Sequence, residues 1–265
     1  MPRPIWSGSI SFGLVNVPVK VLSAVSSQDV RFHQLHAADN VRIQQKRVCP
    51  ADGAEVPFDQ IIKGYEIAPE QYVVITPDEL AGLDPKATHT IDIEEFVDLD
   101  QIDPIFFEHP YYLAPDKRAE KPYGLLLRAM SDTKKVGIAR FVLRTKQYLA
   151  AVRPMDGNAL VLSTMLFADE VVSPSDIQGV GGNAEELSAK EITMATQLIE
   201  SLSADFEPSK YHDEYREKVL EMIKAKAEGM EIVKQPAAAE PAKVVDLMAA
   251  LEASVKAAKE KRKSA

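Results

Sequence analysis

The sequence predicts a mainly β fold of the α+β class that ends in a helical C-terminal part. In the first half and the middle of the chain, apolar and polar residues alternate as they do in half-buried strands. After about residue 183 the apolar residues instead recur at helical spacing. A stretch rich in proline and alanine, residues 229–243, is typical of a linker before a short tail, residues 244–265.

Short strands fill the first half of the chain, with one helix among them. Strands are predicted where β-branched and aromatic residues alternate or cluster, at Val17 to Val21, Val30 to Phe32, Val41 to Ile43, Tyr72 to Ile75 and Ile91 to Ile93. A helix is predicted to start at Thr76, because Thr76 and Glu79 form a capping box and Pro77 suits the first helical position. The helix should be short and end near Asp84.

The middle of the chain predicts one longer helix and then a sheet. Residues 119–133 carry apolar side chains at helical spacing, at Tyr123, Leu126, Leu127 and Met130. The strand predicted at residues 137–146 has an apolar face and a basic face, and the basic face holds Arg140, Val142, Arg144 and Lys146. A turn at residues 154–158 separates two further strands.

Two helices are predicted after residue 183. Ser188 and Glu191 form a capping box for the first, and the second should run from about Ser209 to Glu228. Their apolar stripe consists of Ile192, Ala195, Leu198, Ile199, Leu202, Tyr211, Tyr215, Val219 and Ile223. The residues alone leave open whether this stripe packs on the chain's own core or against another molecule.

The net charge of −9 hides a strong segregation of charge along the chain. Residues 1–50 carry 6 basic and 2 acidic side chains, residues 51–109 carry 2 and 15, and residues 110–160 carry 10 and 4. The local field decides whether phosphate binds, so the basic segments keep nucleic-acid binding open beside the alternative of ordinary solvated faces. No apolar run approaches the ~20 residues of a membrane helix. The single cysteine excludes an intramolecular disulfide, so a cytoplasmic protein is expected.

Several motifs, in a fixed order, carry a resemblance to a known family. They are Ile5 to Lys20 (IWSGSISFGLVNVPVK), Val30 to His36 (VRFHQLH), Lys46 to Cys49 (KRVC), Lys63 to Glu66 (KGYE), Tyr111 to Lys117 (YYLAPDK), Ile138 to Phe141 (IARF), Ala168 to Val171 (ADEV) and Asp205 to Pro208 (DFEP), with Tyr211 and Tyr215. On these motifs the chain resembles bacterial Ku proteins from about residue 2 to residue 255.

The resemblance implies a Ku-core β-barrel with a DNA-encircling bridge in residues 1–183 and a helical dimerisation arm in residues 184–228. It implies a homodimeric ring, without catalytic activity or cofactor, that threads onto DNA double-strand ends irrespective of sequence. It also implies a role in non-homologous end joining, a bacterial multifunctional ATP-dependent DNA ligase as partner, and a cytoplasmic, nucleoid-associated location.

Encircling DNA requires cations along the phosphate path rather than contacts to bases. The expected DNA-binding residues are Arg31, Arg42, Lys46, Arg47, Lys63, Lys117, Arg118, Lys121, Arg140, Arg144 and Lys146, and the alternative for each is a solubilising role or pairing with the acidic block. The expected dimer-arm residues are Ile192, Leu198, Ile199, Leu202, Tyr211 and Tyr215. The basic tail residues are Lys256, Lys259, Lys261, Arg262 and Lys263, which are either solvated or provide further contacts to DNA or to a partner.

Two other kinds of site are weighed and set aside. Cys49 with His33 and His36 suggests zinc, but Asp52 stands where some relatives have a second cysteine, so four-ligand binding is not expected. The carboxylates of the segment from Asp92 to Asp103 suggest a metal-dependent nuclease, but they spread over a strand and a turn rather than one face.

Overall fold

The computed structural model describes residues 3–83, 89–156, 158–180, 188–229 and 250–257. The chain divides into two compact units, one made of Met1–Gln28 with His33–Val172 and the other of Asp29–Phe32 with Ser173–Ala265. The sequence-based boundary after residue 183 stays a prediction. Within the described ranges, none of the helices is long and apolar enough to cross a lipid bilayer.

The first unit is built on a closed barrel. The strands of the described chain are β1 (Trp6–Phe12), β2 (Val15–Ser23), β3 (Lys63–Ala68), β4 (Gln71–Ile75), β5 (Thr90–Asp98), β6 (Phe107–Pro115), β7 (Lys135–Leu143), β8 (Lys146–Met155) and β9 (Ala159–Met165). Around the barrel the order is β1-β2-β6-β9-β8-β7-β5, and β3 pairs with β4 in a separate two-stranded sheet. The parallel pairing of β1 with β5 completes the ring. The predicted mainly β fold is therefore confirmed.

The helices follow their sequence signals closely at three of four N-termini. They are α1 (Pro77–Leu83), α2 (Glu120–Thr133), α3 (Ala189–Leu202) and α4 (Glu214–Ala227). The capping boxes at Thr76 and Ser188 both form. The prediction that the last helix starts near Ser209 is wrong, because residues 208–210 make a separate 3-10 turn and Asp213 caps α4 instead.

The barrel core follows from the alternation of side chains along each strand. On β2, Val17, Val19 and Val21 are completely buried. On β9, Leu160 and Leu162 join this core, whereas the residues between them face the opposite side of the sheet. Both faces of β9 are buried, since Val161 and Ser163 are buried too, and a second apolar cluster forms around Val136, Ala151 and Met165.

Helix α2 contributes to the barrel core. Its side chains Tyr123, Leu126 and Met130 are buried there, as predicted. The Tyr123 hydroxyl donates a hydrogen bond to the Leu113 carbonyl at 2.7 Å and accepts one from the Leu160 amide at 2.8 Å. Leu113 and Leu160 are paired residues of β6 and β9. One hydroxyl therefore ties the helix to two neighbouring strands.

Gly8, in the first motif, is required by the space around it. A Cβ atom on this residue would lie 2.1 Å from the His89 carbonyl oxygen and 2.3 Å from the Trp6 ring. The Trp6 indole also donates a hydrogen bond to the Val142 carbonyl at 3.0 Å. The motif therefore fixes the close approach of β1 to its neighbours.

Three strand predictions are wrong. Residues 30–32 and 41–43 are not strands, and the second segment makes only an isolated pairing of Arg42 with Leu35. Phe32, Val41 and Ile43 are exposed and Val30 is half-buried, so these segments lack the buried face of a barrel strand. The single strand predicted at residues 137–146 is interrupted, since β7 ends at Leu143 and Arg144, with φ at +61°, turns the chain into β8.

The second unit contains α3, α4 and a helical segment at residues 250–257. Gly229, with φ at +74°, ends α4 as predicted. The predicted linker after Gly229 lies outside the described residues. So do residues 181–183 and most of the basic tail, including Lys259, Lys261, Arg262 and Lys263.

Candidate nucleic-acid interface

Between β2 and α1 the chain makes a long excursion, and we name its residues 33–75 the strap. From residue 24 to residue 80 none of the described side chains is buried. The β3–β4 hairpin of the strap leaves Tyr65, Tyr72 and Val74 between half and two thirds exposed. The strap therefore has no core of its own, and it presents apolar surface of the kind that marks an interaction site.

The strap is shaped by local hydrogen bonds, first in a turn at residues 36–41. The Asn40 amide donates to the His36 carbonyl and the His36 amide donates to the Val41 carbonyl, both at 2.8 Å. The Asp39 carboxylate accepts a hydrogen bond from the Val41 amide at 3.0 Å and contacts the His36 ring. These two partners, the Val41 amide first, hold the pKa of Asp39 below its usual value.

A second turn at residues 49–54 repeats this construction. The Gly53 amide donates to the Cys49 carbonyl and the Cys49 amide donates to the Ala54 carbonyl, both at 2.8 Å. Asp52 accepts from the Ala54 amide at 3.0 Å. The sequence analysis did not identify this short repeat. Its signal is an aspartate in the fourth position of each turn, followed by Asn40 or Gly53. Both of these following residues have a positive φ.

The strap holds four of the predicted DNA-binding residues, and all four are exposed. Lys46 is neutralised by Glu55, whose carboxylate lies 2.7 Å from the ammonium group. The Arg47 guanidinium stacks over the Phe58 ring at 5.4 Å. Arg42 and Lys63 make no ion pair within the described residues. The strap therefore presents three cations whose charge is not locally compensated.

The barrel does not form the predicted basic row. Arg140 lies on β7, 3.5 Å from the Glu94 carboxylate, and its neighbour across the ladder is Asp92. Arg144 is in the β7–β8 turn, and Lys146 begins β8 with its ammonium over the Tyr148 ring at 5.1 Å. The predicted row does not form because the chain reverses direction at Arg144, which puts Arg140 and Lys146 on different strands. The three cations are all exposed, but they do not share one strand face.

Lys117, Arg118 and Lys121 are exposed at the connection from β6 to α2. Lys117 and Arg118 belong to the loop, whereas Lys121 lies in the first turn of α2 rather than in the loop. The loop is anchored by Asp116, which accepts hydrogen bonds from the Lys20 ammonium at 2.6 Å and from the Lys117 amide at 2.7 Å. The Lys20 hydrogen bond is the main reason that the pKa of Asp116 is lowered.

In the second unit, Arg31 is exposed, and so are the predicted arm residues except Leu198. The exposed fractions are 52% for Ile192, 67% for Ile199, 67% for Leu202, 72% for Tyr211 and 78% for Tyr215, and Leu198 is half-buried. Phe206 stacks on Tyr211 with ring centroids 5.7 Å apart. These exposed apolar side chains are candidates for an interaction surface.

The alternative sites gain no support. Among the described residues, no three His, Cys, Asp or Glu side chains converge as metal ligands would. Asp98 pairs with Lys135 at 2.8 Å, and Asp103 caps a 3-10 turn by accepting from the Ile105 amide. Cys49 and His36 each occupy the first position of one strap turn.

Comparison with known proteins decides the family. Residues 11–194 match the Ku70/Ku80 beta-barrel domain. The chain belongs to the Ku family. It is 52% identical to the non-homologous end joining protein Ku of Anaeromyxobacter sp. over 98% of this chain and 87% of that protein. The same-named proteins of Heliobacterium modesticaldum and Mycobacterium tuberculosis are 45% and 42% identical, over 98% and 96% of this chain and 94% and 95% of their own lengths.

The Ku match begins with the last two residues of β1, and it includes every barrel strand from β2 onwards and the whole strap. It ends within α3, and the chain beyond residue 194 is included in the matches to the full-length relatives. The resemblance recognised from the motifs is therefore confirmed.

Proposed function

We propose that this chain is a homodimeric clamp that binds DNA double-strand ends without sequence preference in non-homologous end joining. The observation that carries the proposal is an exposed strap with uncompensated cations inside the matched Ku region. A protein that encircles DNA needs such cations for the phosphates and needs no groups aimed at base edges. The relatives named for end joining support the pathway.

The DNA path is proposed to run along the strap and the β6–α2 connection. Arg42, Arg47 and Lys63 carry the main contacts, with the Lys117, Arg118 and Lys121 group and the turn residue Arg144 beside them. Lys46 and Arg140 contribute less, because Glu55 and Glu94 already offset their charge. Arg31 and Lys146 complete the proposed set. The division into a barrel with bridge, residues 1–183, and an arm, residues 184–228, is part of the proposal.

A second copy of the chain is proposed to cover the apolar side chains of α3 and of the segment from Tyr211 to Tyr215. Ring formation requires this contact, and aromatic and aliphatic side chains left exposed by one copy are the usual centre of such an interface. Light scattering tests this contact with Ile199→Asp and, as a matched control, Leu125→Asp, since Leu125 on α2 is 72% exposed and Ile199 is 67% exposed.

We expect the wild-type protein and Leu125→Asp to be dimers and Ile199→Asp to be monomeric. A wild-type monomer at micromolar concentration, or a dimeric Ile199→Asp protein, would contradict the arm assignment. The proposed role of the chain is binding, and joining of the strands is assigned to an ATP-dependent DNA ligase that the clamp recruits.

Threading can be tested by topological trapping. The protein is loaded on a linear duplex, the ends are joined with an added ligase, and the complex is washed at high salt. A threaded ring should stay on the closed circle and should be released when the circle is cut, whereas protein added after closure should wash off. Equal loss from both preparations would contradict threading.

A further inference from the structure

Two side chains of the second unit are buried, counting its described residues. They are Val219 of α4, with 8% exposed, and Val255 of the 250–257 segment, with 9% exposed. Each belongs to a helix that is otherwise largely open to solvent. A valine on a helix becomes buried only when another element packs over it. Another element must therefore cover α4 at Val219 and the 250–257 segment at Val255.

The burial on each helix is confined to one face. On α4, Arg216 lies one turn before Val219 and is half-buried, and Met222 and Ile223 lie one turn beyond it and are 37% and 38% exposed, whereas Glu217 and Glu221 on the opposite side are exposed. In the 250–257 segment, Leu251 lies one turn before Val255 and is half-buried, while the residues between them are exposed. Both helices therefore have a short apolar stripe of matching length.

We propose that residues 250–257 dock on the Val219 face of α4 in the same chain. Both helices belong to the same compact unit. The charges at the edges fit as well: helical spacing places Arg216 beside the stripe of α4 and Glu252 beside the stripe of the C-terminal segment. The acidic residues Glu217 and Glu221 lie on the opposite face of α4.

The connection is long enough for this arrangement. From Val219 to its end at Ala227, α4 covers about 12 Å, at about 1.5 Å per residue. Residues 230–249 can span up to about 70 Å when extended, at about 3.5 Å per residue. The intervening chain therefore has ample reach to bring residue 250 back to α4 without leaving its own copy.

The docked segment fixes where the basic run begins. Lys256, the first cation of the basic tail, would then lie at the end of a segment held against α4. Docking also leaves Ile199, Leu202 and Tyr215 uncovered, so it does not compete with the proposed dimer contact. Docking of residues 250–257 on α4 does not require DNA, so it can be measured on the protein alone.

A disulfide tests the contact directly. In a Cys49→Ser background, which removes the only native cysteine, Val219→Cys and Val255→Cys are combined and the full-length protein is oxidised. We expect an intrachain disulfide that migrates as a monomer on a non-reducing gel, formed at least severalfold faster than with Val219→Cys and Lys256→Cys. A covalent dimer, or no difference between the two pairs, would overturn the proposal.

Hydrogen exchange gives a second measurement without cysteines. Val255→Asp should raise amide exchange at residues 216–223 of α4 severalfold, whereas Lys256→Asp, which alters the neighbouring exposed position, should leave it as in the wild type. Unchanged exchange in Val255→Asp would show that something else covers Val219.

Discussion

Neutralising the strap arginines should lower the salt dependence of DNA binding by a predictable amount. Arg42 and Arg47 are exposed and make no ion pair within the described residues, whereas Lys46 is held 2.7 Å from Glu55. If Arg42 or Arg47 meets one phosphate, its change to Gln lowers the slope of log Kobs against log salt by about 0.9. When the salt concentration rises from about 50 to about 200 mM, a variant that lacks one phosphate contact should therefore lose about 3.5-fold less affinity than the wild type does.

Fluorescence anisotropy of a short labelled duplex, titrated at several salt concentrations, measures this slope. Lys46→Gln and Arg140→Gln are the matched controls, because a carboxylate already neutralises each cation. We expect both controls to change the slope by less than half as much as Arg42→Gln. An unchanged slope in Arg42→Gln, or equal losses in all variants, would refute the proposed phosphate path.

Two further predictions concern stability. Tyr123→Phe should destabilise the protein by about 1–3 kcal/mol in urea unfolding, because the Leu113 carbonyl and the Leu160 amide both lose a buried partner; a change below the experimental error would contradict this role. Asp116→Asn should destabilise most near neutral pH and converge with the wild type in acid. The Lys20 hydrogen bond lowers the folded-state pKa of Asp116, so the ionised form stabilises the fold fully above the ordinary pKa of 3.8, and this contribution is lost as the pH falls from there through the lowered folded-state pKa. A difference that persists unchanged in acid would contradict the assigned cause.

The barrel strands could be predicted because alternation and burial coincide there. Val17, Val19 and Val21 alternate in sequence and point into one core. The strand prediction for residues 41–43 of the strap was wrong for the opposite reason. These residues have a strand-like composition, but they join no sheet, and the hydrogen bonds of local turns determine their conformation. Propensity alone does not tell these two situations apart.

The candidate site could be predicted in kind but not in detail. The exposed cations were predicted from the distribution of charge along the sequence, and the family was predicted from the ordered motifs. The pairing of Arg140 with Glu94 depends on the β5–β7 register, which includes a bulge after Ile93. The turn at Arg144 lacks the glycine or asparagine that usually marks positive φ, so the predicted basic row could not be seen to break there.

The central claim, that the chain is a DNA-end clamp, is tested most directly by competition between linear and circular DNA. The purified protein is bound to a short labelled linear duplex at moderate salt, and a closed circle or an unlabelled linear duplex of the same sequence is added as competitor. We expect the linear competitor to displace the labelled duplex and the closed circle to compete poorly. Equal competition by both, or no binding to the linear duplex, would contradict it.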